Sequence, residues 1–130
     1  MRPPDETINT TGKLYIRRWW LLKRSWLCIY LHSQHRNDWA RDLHDHVGFN
    51  ISIILRGGYL EITPKYPNGR FRWPGMIVFR RATLPHRLEL IAPGRPSWSI
   101  WIRGPKVRQW GFMTEDGWMA HHDYREKYGS

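Results

Sequence analysis

The sequence predicts one all-β domain, a sandwich or barrel with a short helical tail. Three observations carry that prediction: short runs of β-branched and aromatic residues, turn signals roughly every 8–12 residues, and only one plausible helix, at Trp118 to Tyr128. At 130 residues with 41% hydrophobic content, the chain is long enough for one ordinary core and too short for two. Residues 1–130 are therefore read as a single domain, with 1–12 as a flexible arm.

The elements follow in order. Lys13 to Leu31 is rich in strand formers, and Lys23-Arg24-Ser25 breaks it into a hairpin. The polar SQHRNDWARD stretch is a loop leading into RDLHDHVGFNISIILRGG. Asn50 to Leu55 is a strand, Arg56-Gly57-Gly58 a turn and Tyr59 to Thr63 a strand. Arg70 to Trp73, Met76 to Phe79, Leu84 to Ile91 and Trp98 to Ile102 supply further short strands between Pro/Gly turns. No internal repeat supports a solenoid.

Composition excludes several classes of protein. Cys28 is the only cysteine, so no internal disulfide framework or thiolate zinc cage can form, and any metal must be held by His, Asp, Glu or Asn. The start of the chain does not read as a secretory leader, and no apolar run reaches the ~18 residues of a membrane span, so the expected location is cytoplasmic. Twenty-one Lys plus Arg against 11 Asp plus Glu give a formal net charge of +10, which favours anionic partners: small anionic ligands, with nucleic acid as a second class.

The motif that carries chemistry is His44-Asp45-His46 ahead of a β-branched run. Side chains two apart on a strand share a face, so His44, His46, Asn50 and Ser52 would project together, with Ile51, Ile53 and Leu55 on the other side. Asp45 points away from its neighbours and makes a poor ligand. His86, on a later strand, is the natural third imidazole; two ligands from one strand and one from another leave coordination positions open. His32, His35, His121 and His122 read as surface or capping residues, and Cys28 as a buried, inert thiol. The oily Ile51–Ile53–Leu55 stripe needs a cover, from which a homodimer is expected.

The spacing resembles the two-part cupin signature, G-x5-H-x-H-x3,4-E-x6-G followed by G-x5-P-x-G-x2-H-x3-N. His44, His46 and Gly57 fall at positions of the first part, and Gly75 and His86 at positions of the second. Asn50 stands at the usual glutamate, Asp38 at the first glycine, Arg81 and Thr83 at the Pro and Gly, and Leu90 at the asparagine. The later WIRGPKVRQWGF and DGW stretches resemble small cupins of bacteria and phages, which would put a phage-encoded protein in the host cytoplasm. The resemblance implies a double-stranded β-helix, or jelly-roll barrel, and a divalent metal ion (Fe, Mn, Ni or Zn) on His44, His46 and His86, with Asn50 or water completing the shell. Cupins include metal-dependent oxygenases and isomerases, metal-free epimerases and non-catalytic binding proteins.

Two functions stay open. One is a metal-dependent oxygenase or isomerase acting on a small anionic substrate. The other is a non-catalytic binding module for nucleotides, nucleic acid or other phosphorylated ligands, suggested by arginines interleaved with aromatic rings. Arg56, Tyr59, Glu61, Arg70, Arg72, Trp73 and Arg81 are the candidate ligand-binding residues, with Tyr59 and Glu61 also placed to support the metal ligands.

Overall fold

The computed structural model describes residues 2–92 and 94–129. Its architecture is a jelly roll of two facing antiparallel layers. One layer is a six-stranded sheet in the order β1-β2-β3-β10-β5-β8. These strands are β1 (Glu6–Thr10), β2 (Lys13–Lys23), β3 (Cys28–Gln34), β5 (Asn50–Arg56), β8 (Ile77–Arg80) and β10 (Ser97–Arg103).

The opposite layer is built from two three-stranded sheets, β12-β11-β4 and β7-β6-β9. Its strands are β4 (Leu43–His44), β6 (Tyr59–Ile62), β7 (Arg70–Arg72), β9 (Arg87–Leu90), β11 (Gly111–Thr114) and β12 (Gly117–Ala120). The two sheets meet at a single bridge between His44 and His86, whose backbones exchange hydrogen bonds of 2.9 and 2.8 Å. The seam of this layer therefore runs through two of the predicted ligands.

The predicted hairpin forms, turning at 24–27 with Arg24 N–H donating to Leu27 C=O at 2.8 Å. Residues 6–10, expected to belong to a loose arm, instead form β1 against β2. The cause is local: Thr11 (φ 50°) and Gly12 (φ 76°) make a two-residue turn with both central residues left-handed, which suits a tight hairpin. Arg18 and Glu6 then pair across it at 3.2 Å. Gly57 turns β5 into β6 at φ 80°, where a Cβ would lie 2.3 Å from the Pro96 carbonyl oxygen, so only glycine fits. Strands β11 and β12 were not expected from the sequence. The tail helix expected over Trp118–Tyr128 is shorter, α1 (His121–Tyr128), because Trp118–Ala120 belong to β12; it is held by Tyr124, which packs on Phe112 and Ala40 and donates its hydroxyl to Asp42 at 2.8 Å.

Apolar residues do not fill the space between the layers. Ser33, Gln34, Asn50, Ser52, Glu61, Arg72, Arg80, His86, Ser97 and Arg103 are all buried, while Ile77 (71% exposed), Phe79 (60%) and Leu55 (48%) face outward from the large sheet. Strands β2 and β3 extend that sheet sideways beside β10, so the Trp19–Leu31 segment lies in the sheet and does not cover the stripe. Among the described residues, no helix is long and apolar enough to cross a membrane.

Candidate metal centre

His44 and His86 are directly opposed across the bridge, which puts their side chains on one face of the layer. His46 follows two residues on, its N–H bonded to Ala82 C=O at 3.0 Å. The ligand-capable atoms of the three rings all lie within 4.8 Å of one another, and the ring centroids are 4.8 to 5.2 Å apart. The triad expected from the sequence is thus assembled from β4, the bend after it and the residue preceding β9.

Burial sets the protonation of the triad. It pushes His44 down to about 4, against a partial upward pull from Asp38, and holds His46 well below the ordinary imidazole value. Both rings are neutral near pH 7, the state in which an imidazole lone pair can bind a metal. His86 Nδ1 lies 2.6 Å from Glu61 Oε2. Burial disfavours the Glu61 carboxylate, but the His86 hydrogen bond and Arg80 outweigh it and hold its pKa far below the carboxylate range. An ionised carboxylate only accepts, so Nδ1 carries a proton and Nε2 is the ring nitrogen left to ligate. Nδ1 of His46 is buried without a protein partner. Two neutral imidazoles, a third ring oriented by Glu61 and one orphaned ring nitrogen fit a borderline divalent transition metal better than a hard cation that wants oxygen ligands.

Beneath the triad lies a polar network. Arg80, 1% exposed, donates to Glu61 at 2.5 Å, Ser52 at 2.8 Å, Tyr59 at 2.7 Å and Asn50 Oδ1 at 3.1 Å. Arg72 donates to the other Glu61 oxygen at 2.8 Å. The structure therefore uses Asn50 differently from the expected ligand role: its amide oxygen is turned to Arg80, and its Nδ2 is buried without a partner.

A cavity of about 400 Å³ opens beside the triad. Tyr59 and Arg80 line it, and its far wall is a stack of Tyr30, His32 and Trp101 with centroids 5.5 to 6.0 Å apart. His32, expected at the surface, belongs to this wall; burial first, and Arg18 second, lower its pKa to about 3, and its ring accepts from Arg18 Nε at 2.8 Å. His35 bonds Ser33 Oγ at 2.9 Å, and His121 stacks on Trp110 at 4.6 Å. Asp45 borders the cavity but stays out of the ligand cluster, its carboxylate accepting from Gly111 N, Trp118 Nε1 and Arg108. Asp38, at the expected glycine position, takes the Tyr15 hydroxyl and Leu88 N–H, and sits 3.8 Å from His44 Nδ1.

The remaining candidate ligand residues separate. Glu61 and Arg72 are buried as supports. Arg81 follows the inward-facing Arg80, so alternation sends it to solvent. Arg70 is exposed at the open end of β7, over the Tyr66 ring at 4.2 Å. Arg56 lies at the far end of β5, roughly 20 Å along the strand from Asn50, and with Trp73 lines a separate hollow with Arg95 and Trp98. These four do not line the triad cavity because the interleaved Arg/aromatic pattern sits on strand ends and outward faces. Arg80 and Arg103 do line it.

No protein family and no curated protein matches the chain by sequence. Solved structures match by shape. A cupin-like protein from Thermotoga maritima MSB8 superposes with a TM-score of 0.64 at 18% identity, covering 97% of this chain and 94% of that one. This chain has the cupin fold. The same cupin barrel superposes on a candidate mannose-6-phosphate isomerase from Ralstonia eutropha JMP134 (TM-score 0.64, 16% identity, covering 74% of this chain and 90% of that one). It also superposes on the DMSP lyase DddQ of Ruegeria pomeroyi DSS-3 (TM-score 0.60, 16% identity, 84% of this chain and 57% of that one). At these identities the cupin likeness concerns the fold, and the chemistry rests on the residues.

Proposed function

We propose that this cupin binds one divalent transition metal (Fe, Mn, Ni or Zn) on His44, His46 and His86 and works as an oxygenase- or isomerase-type enzyme on a small anionic molecule. The observation that carries the reading is the Glu61–His86 hydrogen bond behind three converging imidazoles, because it fixes the tautomer a ligand needs. Enzymes named among the structural neighbours, an isomerase and a lyase, support a catalytic use of the barrel. When bound, the metal supplies Lewis acidity or redox chemistry at positions the three imidazoles leave open. The chain's own residues do the rest. Glu61 keeps the proton on His86 Nδ1, Arg80 and Arg72 hold Glu61 in place, and Tyr30, His32 and Trp101 form a flat wall that shields one side of the cavity from water.

Metal content of protein purified without nickel chromatography tests this directly. Close to one equivalent is expected in the wild type, and almost none in His44→Ala or His86→Ala. Equal content in all three would remove the proposal.

A second reading, a binding module for nucleotides or nucleic acid, is favoured by the hollow of Arg56, Trp73, Arg95 and Trp98, where guanidinium groups sit beside flat rings. Under it, oligonucleotide affinity would fall steeply with salt and with Arg56→Ala, and would ignore the histidine changes.

A further inference from the structure

The face of the large sheet that looks into the cavity is built in rungs. One rung reads Cys28, Arg103, Asn50, Arg80 across β3, β10, β5 and β8. All four are buried, at 1%, 7%, 0% and 1% exposure. The two cations that flank Asn50 are not equivalent. Arg80 is offset by Glu61 at 2.5 Å. Arg103 donates to the Gly104 carbonyl and to Cys28 Sγ, each at 2.9 Å, and meets no carboxylate among the described residues. Between them Asn50 has given its oxygen to Arg80 and is left with an unpartnered NH2. This rung is a surplus of buried donors, an arrangement that is costly unless an acceptor completes it.

Charge elsewhere in the cavity points the same way. Of the lining cations, Arg18 is offset by Glu6 and Arg80 by Glu61, whereas Arg103 and Lys106 have no acidic partner among the described residues. The lining acids are already engaged: Asp38 by Tyr15 and Leu88 N–H, Asp45 by Arg108. Asn50, buried beside Arg103 in the same rung, is neutral and supplies no negative charge to offset it.

We infer that Arg103, backed by Asn50 in the same rung, forms a receptor for the carboxylate or phosphate end of a small organic anion whose other end reaches the histidine triad. The second half of that statement rests on the metal reading; the receptor itself does not. The span is short. The Trp101 ring lies 6.2 Å from the His46 ring, and Arg103 follows Trp101 by one same-face step, roughly 7 Å. A cavity of about 400 Å³ suits a ligand of this length, with Trp101 and Tyr30 against its middle. The guanidinium fork of Arg103 provides planar, charge-assisted donors for a carboxylate or a phosphate oxygen pair.

The test is calorimetric titration of metal-free protein with succinate and, separately, with inorganic phosphate. Saturable one-to-one binding of at least one is expected, and the stronger of the two identifies the headgroup. Arg103→Met should weaken it by about tenfold or more, and Arg103→Lys should recover part of the loss. Asn50→Asp keeps an oxygen for Arg80 but sets a negative charge beside Arg103, so it should abolish binding at unchanged size. Wild type that binds neither probe, or Arg103→Met and Asn50→Asp variants that are folded by circular dichroism and bind within twofold of wild type, would overturn the inference. Zinc uptake measured on the same samples separates the two claims. Anion binding that depends on Arg103 in a protein that takes up no metal fails the metal reading alone; metal uptake with Arg103-independent anion binding fails the receptor alone.

Discussion

Replacing Glu61 with Gln strikes the group on which both the buried network and the triad depend. Glu61 is 1% exposed and accepts from Arg72 at 2.8 Å, Arg80 at 2.5 Å and His86 at 2.6 Å. Gln keeps the shape and one acceptor oxygen but removes the carboxylate that, among the described residues, alone pairs with the two buried guanidinium groups of Arg72 and Arg80. Breaking a buried ion pair from one side costs roughly 3–5 kcal/mol, because the partner charge stays buried and uncompensated. The retained oxygen places Glu61→Gln near the lower end, about 3 kcal/mol. In urea, with a slope of roughly 1–3 kcal/mol per molar, the tryptophan-fluorescence midpoint should fall by about 1–3 M. Adding Arg80→Met should restore part of the loss, since it removes the stranded cation. A midpoint change worth less than about 1 kcal/mol, the scale of one ordinary neutral hydrogen bond, would refute the view of Glu61 as the counter-charge. The same variant frees the His86 tautomer, so metal affinity should drop by roughly 10- to 100-fold.

Acid should weaken the metal-free protein well above the carboxylate range. His32 and His44 have folded pKa values of about 3 and about 4 against an ordinary 6.5, so between pH 6.5 and 4 the unfolded chain binds more protons and stability falls with pH. The slope is at most ~1.4 kcal/mol per pH unit for each histidine, less what solvent at these half-buried rings screens; an equal or higher urea midpoint at pH 5 than at pH 7 would contradict it. On assembly, the outward Leu55, Ile77 and Phe79 should be covered by a second copy. Light scattering should give a dimeric mass at micromolar concentration that Ile77→Lys with Phe79→Lys reduces to a monomer, and a monomeric wild type would count against the idea.

Period-two patterning made most of the large sheet legible, because strands such as β5 and β10 alternate cavity-facing with outward-facing residues. The same rule put His44, His46 and Asn50 on one face of a single strand, whereas β4 ends at His44, His46 follows it outside any strand and Asn50 opens β5 in the other layer. The histidines still converge, and motif spacing supplied His86. What it could not supply was pairing. That His44 and His86 bond each other's backbones, and that Arg103, Asn50 and Arg80 share a rung, depends on register between distant strands, which local pattern does not encode. Arginines drew attention at Arg70, Arg72 and Arg81 because they interleave with aromatics there, yet Arg80 reaches the cavity. A signal was available: Arg80 ends the alternating run Val78-Phe79-Arg80, on the same face as buried Val78. Strand β1 was overlooked because Thr11-Gly12 was read as part of a polar arm, although it is a workable tight turn. β11 and β12 hold only four residues each, one of them glycine in either case, too short for a period to show.

X-ray diffraction from metal-loaded crystals, recorded on the high-energy side of the metal's absorption edge, tests the central claim most directly. One anomalous peak is expected, within about 2.0–2.3 Å of a ring nitrogen from each of His44, His46 and His86, with Glu61 still on His86 Nδ1 and Asn50 still on Arg80. A peak at His122 or another exposed histidine, or none between the three rings at full loading, would contradict it.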